Sequence, residues 1–298
     1  MQIYGLIGYP VKHSFSPLMH NAAFKACGIE ASYKLFEITP AKVENFLLKN
    51  IEVKDIQGNS YSSRDIIGFN VTIPYKVRVR EIVLPRIWHE DLPEQDHYVF
   101  ISGAVNTVKR EKGKLVCCNT DAPGFIKSLS RDLGFAAKDK NVFIAGCGGA
   151  GRAVVASLTW KDAGVKKIYI YEINKEAVKS AREYFSQFDF VDNKLEFVLF
   201  EQIPEVIKGC QLLVDATGSG LKDEDTCVID KKFFHKDLFV YDLVYNKETR
   251  LIKDARSLGL KAQGGLGMLL YQGALAFEFW TRKSAPLEVM KTALEQAV

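Results

Sequence analysis

A glycine-rich turn between a strand and a helix constrains this chain more than any other feature. Gly146-Cys147-Gly148-Gly149-Ala150-Gly151 follows the apolar run Val142–Ala145 and leads into a helical pattern through Leu158. Gly146, Gly148 and Gly151 fit G-x-G-x-x-G. Such glycines permit a tight turn, let the backbone approach a pyrophosphate and allow helix and sheet to pack closely, while the helix N-terminus offers unpaired N–H groups to the anion. With a strand before and a helix after, the turn, including Gly149 and Ala150, predicts dinucleotide binding. A carboxylate is expected about 20 residues later, at the end of the next strand. Glu172 stands there, directly after Ile168-Tyr169-Ile170-Tyr171.

Strand-like runs recur around this turn, at Lys167–Tyr171, Leu195–Leu199, Leu212–Asp215 and Leu238–Asp242, with helical stretches such as Glu176–Phe185 between them. That rhythm predicts a Rossmann-type doubly wound parallel sheet. The first third has its own βαβ alternation. Ile3–Gly8 reads as a strand, and Ser16, Pro17 and Gly28 read as the N-cap, N1 and C′ positions of a helix. Tyr33–Ile38 and Gly68–Ile73 read as further strands. Val105–Arg110 and Leu115–Asn119, joined by Lys112-Gly113-Lys114, read as an antiparallel edge hairpin. Lys54–Arg64 reads as a polar surface loop.

The predicted fold class is therefore α/β. An N-terminal α/β domain spans 1–121, a dinucleotide-binding domain spans 122–266, and a cleft lies between them. Two final helical patterns within 267–298 are expected to complete the first domain. A length of 298 residues suits two domains, and 47% hydrophobic residues can fill a core in each.

Charge and cysteine usage narrow the function classes. Forty Lys and Arg against 36 Asp and Glu give a net charge of +4. With no long basic block, this opposes a nucleic-acid partner and favours a small ligand. No apolar run is long enough for a membrane span. The start lacks a basic leader, and the six cysteines form no C-x-x-C pair, which together suggest a cytoplasmic protein. The five scattered histidines suggest no metal site.

Polar residues of the first domain cluster at strand ends and turns. His13-Ser14-Phe15-Ser16-Pro17 offers two hydroxyls before a helix, suited to a carboxylate or hydroxyl of a small ligand. Gly68-Phe69-Asn70-Val71-Thr72-Ile73-Pro74-Tyr75-Lys76 presents an amide, a hydroxyl and an ammonium in sequence. Ala104-Val105-Asn106-Thr107 and Asn119-Thr120-Asp121 add amides and a carboxylate. By composition alone these are turn and cap residues.

Taken in order, these segments resemble the shikimate dehydrogenase family over nearly the whole chain. Gly8 through Asn21 matches G-x-P-x-x-H-S-x-S-P-x-x-H-N, and Gly68–Lys76 matches G-x-N-V-T-x-P-x-K. Gly103–Thr107 matches G-A-V-N-T, and Asn119–Gly124 matches N-T-D-x-x-G. The glycine turn, Val240–Asn246 and Gly265–Leu269 follow. The resemblance implies an NAD(P)-dependent oxidoreductase that interconverts shikimate and 3-dehydroshikimate, with a quinate/shikimate dehydrogenase as the alternative. A non-catalytic dinucleotide-binding sensor is a rival, opposed by the retention of Lys76 and Asp121.

The same resemblance implies residue roles. The substrate carboxylate would lie near Ser14 and Ser16, and its hydroxyls near Thr72, Lys76, Asn106, Asp121 and Gln272, with Tyr245 closing the pocket from the cofactor side. Lys76 and Asp121 would be the acid/base pair, since oxidising an alcohol requires an acceptor for its proton. Thr217 and Gly265 would join the glycine turn in holding the cofactor. Monomer and homodimer are both compatible.

Three departures fall on the cofactor side. Glu172-Ile173-Asn174 stands where NADP-using members commonly carry Asn-Arg-Thr, so NAD is the expected cofactor, with NADP as the alternative. Asp215-Ala216-Thr217-Gly218 replaces a more usual Asn-Ala-Thr-Ser. Gly264 stands where an Asp often precedes Gly265.

Overall fold

The computed structural model describes residues 1–83, 94–160, 163–219 and 227–297. The chain divides into two compact units, Met1–Gly124 with Leu270–Val298, and Phe125–Leu269.

In the first unit, near-continuous apolar runs produce strands buried on both faces, as parallel strands under helices require. The elements in order are β1 (Gln2–Gly8), α1 (Ser16–Ala26), β2 (Ala31–Glu37), α2 (Val43–Leu48), β3 (Glu52–Lys54), β4 (Ser60–Ser62), β5 (Ile66–Val71), α3 (Lys76–Val83), α4 (Glu94–Ser102), β6 (Thr107–Glu111) and β7 (Lys114–Cys118). The main sheet has the order β2-β1-β5-β6-β7. β1 runs parallel to β2 and β5, while β6 and β7 return antiparallel. The β6–β7 hairpin turns through Lys112 and Gly113, both with positive φ (50° and 78°), the conformation whose twist matches the flanking strands. Its core packs Ile7, Phe36, Phe46, Phe69 and Val79 together.

Two sequence expectations differ locally. Ser16 is not the N-cap of α1 but its first residue, preceded by Phe15 in a helical conformation. The Ser14 hydroxyl accepts the Ser16 N–H at 3.2 Å, so the entry turn is made two residues earlier than expected. Lys54–Arg64 is not a plain loop, because β3 and β4 pair antiparallel there. The Asp55 carboxylate accepts the N–H groups of Gln57 and Asn59, both at 2.9 Å, and closes that turn. Three-residue polar strands leave no alternation to detect.

The second unit begins within α5 (Asp121–Arg131). It continues through β8 (Asn141–Ala145), α6 (Gly149–Thr159), β9 (Lys167–Tyr171), α7 (Lys175–Phe185), α8 (Asp189–Asp192), β10 (Leu195–Phe197), α9 (Ile203–Lys208), β11 (Leu212–Asp215), β12 (Phe239–Asp242), α10 (Arg250–Ser257) and β13 (Ala262–Gln263). Its sheet has the order β10-β9-β8-β11-β12-β13, parallel throughout. Counted within the unit this is 3-2-1-4-5-6, the Rossmann order. Phe143, Leu213, Val240, Ile207 and Leu251 share its core. The two-residue β13 was not visible in the sequence.

α11 (Leu266–Thr281) leaves the second unit at Leu269, and α12 (Leu287–Glu295) ends the chain. Within the first unit, the Trp280 indole N–H donates to the Val108 carbonyl at 3.0 Å. Gly68 makes room for that ring, since a Cβ there would lie 2.8 Å from Trp280 Cδ1. Among the described residues, no helix is long and apolar enough to cross a membrane.

Candidate active site

β5 carries the chain to Thr72, and a tight turn closed by the Tyr75 N–H on the Thr72 carbonyl (2.9 Å) delivers Lys76 as the first residue of α3. A cation at a helix N-terminus meets the positive end of the dipole, so it needs a compensating partner. Asp121, the first residue of α5, supplies it, at the helix end that favours a carboxylate. Lys76 Nζ lies 2.7 Å from Asp121 Oδ2, and the two side chains are only 12% and 6% exposed.

An ion pair this buried holds together only when the remaining polar atoms are satisfied. Asn106 provides this at the other carboxylate oxygen, donating from Nδ2 to Asp121 Oδ1 at 2.9 Å. The same amide nitrogen reaches Thr120 Oγ1 at 2.9 Å and Gln272 Oε1 at 3.4 Å. Gln272 reaches this cluster because α11 passes close to α5 at Gly124, where an added Cβ would lie 2.8 Å from Gln272. Lys76, Asp121, Asn106 and Gln272, from four separate stretches of sequence, thus meet at one place. Thr120 joins them. It lies inside the N-T-D stretch, but only the folded strands bring it against Asn106.

Ser14 and Ser16 pair with each other, the hydroxyls 3.1 Å apart, just after β1. Ser16 is buried and Ser14 half-buried. Thr72 is half-buried at the end of β5, its N–H donating to the Ile7 carbonyl at 2.9 Å.

In the second unit, the glycine turn has the shape a pyrophosphate needs. Gly146 has φ +89°, and a Cβ on Gly151 would fall 2.2 Å from the Gly146 carbonyl oxygen. A Cβ on Gly148 would meet nothing within 4 Å, so open space lies over the start of α6. There the N–H groups of Gly149, Ala150 and Gly151 precede that of Arg152, which donates back to the Gly148 carbonyl at 2.9 Å, and an anion can take them.

Glu172 follows β9 and turns back to this loop. Its Oε2 accepts the Cys147 N–H at 2.8 Å and its Oε1 the Asn174 N–H at 2.9 Å. Asn174 in turn caps α7, accepting from Glu176 and Ala177. Thr217 lies against Gly146, its Cγ2 3.0 Å from where a Cβ would be, and its N–H and hydroxyl both bind Asp215 Oδ1. Gly265 packs under Leu243, whose carbonyl oxygen would sit 2.2 Å from an added Cβ. Tyr245 is half-buried shortly after β12, in the second unit.

Asp215 and Asp242 end adjacent strands in register. Burial, and then the neighbouring Asp215 charge, push the Asp242 carboxyl up to about 7. Among the described residues, no group of three or more His, Cys, Asp or Glu could hold a metal ion.

Comparison with known proteins assigns both ends of the chain. Residues 6–108 match the family model for the shikimate dehydrogenase substrate binding domain, and residues 265–295 the shikimate 5'-dehydrogenase C-terminal domain. A shikimate dehydrogenase (NADP(+)) of Methanopyrus kandleri is 36% identical, over 98% of this chain and 94% of the relative. The crystal structure of shikimate dehydrogenase from Aquifex aeolicus is similar with a TM-score of 0.79 at 35% identity, covering 99% of this chain and 97% of that one. Quinate dehydrogenase from Corynebacterium glutamicum, in complex with NAD, is similar with a TM-score of 0.80 at 26% identity, covering 99% of each. Full-length identity at this level, on a fold with the same arrangement, makes this chain a member of the shikimate dehydrogenase family of oxidoreductases.

Proposed function

We propose that this chain interconverts shikimate and 3-dehydroshikimate, with NAD as its preferred cofactor. The observation that carries the reading is the buried Lys76–Asp121 pair, braced by Asn106. Oxidising the C3 hydroxyl removes a hydride and a proton. A nicotinamide dinucleotide held at the glycine turn would supply the hydride acceptor, and the Lys76–Asp121 pair takes the proton from the hydroxyl oxygen. The pair returns the proton in the reverse direction. Asn106 holds Asp121 so that the ammonium stays aimed, while Gln272 and Thr72 orient the ring hydroxyls. Ser14 and Ser16 hold the substrate carboxylate, and Tyr245 contributes from the cofactor side.

NAD is supported by the chemistry beside the glycine turn. Glu172 places a carboxylate where ribose hydroxyls would donate, and a 2′-phosphate there would meet like charge. Ile173, where the NADP-using members carry arginine, is exposed and neutral. The curated relative named above is NADP(+)-linked, so this preference departs from it.

A second reading, oxidation of quinate as well as shikimate, is favoured by the likeness to an NAD-bound quinate dehydrogenase. One kinetic matrix tests both, with shikimate and quinate each measured against NAD and NADP by absorbance of the reduced nicotinamide. Turnover of shikimate with NAD at the highest kcat/KM is expected. A flat trace in every combination would leave a dinucleotide-binding sensor as the better account.

A further inference from the structure

Asn70 lies in the interior of β5, a position where an asparagine is a poor choice for a strand. It is buried, 4% exposed, and does not touch Lys76 or Asp121 in any hydrogen bond. We propose that Asn70 is a positioning residue for the Lys76–Asp121 pair, holding Asn106 in place against Asp121 through the Asn106 carbonyl and the Thr107 hydroxyl. The inference rests on the catalytic reading above.

The argument is one of hydrogen-bond polarity. An asparagine side chain carries a donor and an acceptor of nearly the same shape, so its orientation is decided by its partners. At Asn70 the deciding partner is a backbone carbonyl, which can only accept. Nδ2 therefore faces the Asn106 carbonyl at 3.2 Å, and also Thr107 Oγ1 at 2.9 Å. Oδ1 is left facing the Tyr33 hydroxyl, which donates to it at 2.8 Å.

The Thr107 hydroxyl has one proton, and because it accepts from Asn70, that proton is free to point onward. Its targets are Asn106 Oδ1 and Thr120 Oγ1, both at 3.1 Å. At Asn106 the deciding partner is a backbone N–H, which can only donate. The Thr120 N–H reaches Asn106 Oδ1 at 2.7 Å. With the Thr107 proton and the Thr120 N–H both on Oδ1, Nδ2 must turn to Asp121, which it meets at 2.9 Å.

The result is a directed chain from Tyr33 through Asn70, Thr107 and Asn106 to Asp121, ending at the Lys76 ammonium. Tyr33, Asn70, Asn106, Thr107 and Asp121 are each no more than 4% exposed. Water cannot readily replace a missing member, and an unmatched polar group in such a site is strongly unfavourable. Removing Asn70 frees the Thr107 hydroxyl to reverse and loosens the Asn106 carbonyl. Asn106 keeps the Thr120 N–H on its Oδ1 but loses the support of its carbonyl and of the Thr107 hydroxyl, so the donor that Asp121 relies on is held less firmly.

The experiment compares the parent with Asn70→Ala and Tyr33→Phe, and with Phe46→Leu as a packing control in the same unit. Shikimate oxidation is measured across pH, together with KM for each ligand and the melting temperature. Both network variants should lower kcat by about 10- to 100-fold, the scale of a small misplacement of reacting groups. They should also move the limb of the kcat pH profile that reports the Lys76–Asp121 pair, leaving the dinucleotide KM unchanged. Phe46→Leu should lower the melting temperature and leave that limb in place. Backbone exchange at Thr120, which does not depend on activity, should quicken in Asn70→Ala. Network variants that melt lower but keep kcat within twofold and the limb unmoved would overturn the proposal. If Asn70→Ala does not fold, Tyr33→Phe decides by the same criterion. A parent inactive on shikimate counts against the catalytic reading instead, and the Thr120 exchange then decides whether Asn70 holds Asn106 in place.

Discussion

The Lys76 ammonium and Asp121 Oδ2 stand 2.7 Å apart, each on the first residue of its own helix, although the two residues are 45 positions apart in sequence. Such a pair can exchange a proton with a bound alcohol only while the two groups are held in fixed positions against each other. Lys76→Ala should therefore lower kcat far more than it raises the KM for shikimate, by about 10²- to 10⁴-fold. Asp121→Asn should act in the same direction, since it keeps the shape and removes the counter-charge. Steady-state kinetics check this, and a kcat within a few-fold of the parent would reduce Lys76 to a binding residue.

Ser14 and Ser16 should show the opposite kinetic pattern. Hydroxyls that hold an unreactive carboxylate bind ground and transition states about equally. Replacing either by Ala should raise the KM for shikimate and leave kcat largely intact. The two hydroxyls also bind each other at 3.1 Å, so the double variant should lose less than the two single losses multiplied together. Strictly multiplicative losses would show that the serines act independently.

For the cofactor, kcat/KM should be higher with NAD than with NADP at saturating shikimate. Glu172 also braces the glycine turn through the Cys147 N–H. Glu172→Ala should accordingly do two things, weakening both cofactors and narrowing the gap between them. An NADP value equal to or above the NAD value in the parent would refute the assignment.

Stability should depend on pH through Asp242. Its carboxyl is pushed from the ordinary 3.8 up to about 7 by burial and by Asp215. Above 3.8 the unfolded chain ionises at this position while the folded chain keeps its proton, so unfolding releases a proton and rising pH favours it. This contribution is fully present below 3.8, falls away as pH rises to about 7, and is level beyond. Asp242→Asn should flatten that stretch of the curve. Urea unfolding at several pH values measures it, and an unchanged slope would show that Asp242 does not hold a proton in the folded state.

The second unit was largely legible in the sequence because its signals are local. The glycine turn, the apolar strands and the carboxylate at Glu172 each announce themselves within a few residues. β13 and the β3–β4 hairpin were missed because strands of two or three residues carry no periodicity. In the first unit, Lys76 and Asp121 stood out only through a resemblance covering the whole chain, since each alone reads as a surface or cap residue. What the sequence could not display is polarity. Nothing in Gly-Phe-Asn-Val-Thr reveals that the Asn70 amide meets a carbonyl on one side and a phenol on the other, because both partners lie more than 30 residues away in sequence. The Ser16 cap was misplaced for a related reason. A serine before Pro17 looks like a cap whether or not the turn is already made by Ser14.

Trp280 bears on how the molecule is made. Its indole is bonded to Val108 and packed over Gly68, and Phe277 of the same helix lies with its ring 5.6 Å from Phe24. These residues belong to the segment Leu270–Val298, whereas the surface they cover is complete by Gly124. On a ribosome, the earlier part of this unit emerges long before its covering helix is synthesised, while Phe125–Leu269 is contiguous and needs nothing downstream. We expect the later-encoded unit to finish folding first, leaving an apolar face of the earlier one waiting. Nascent chains stalled after Leu269 should show protease resistance across Phe125–Leu269 and cleavage within Met1–Gly124; equal protection of both would show that the first unit closes without its final helices.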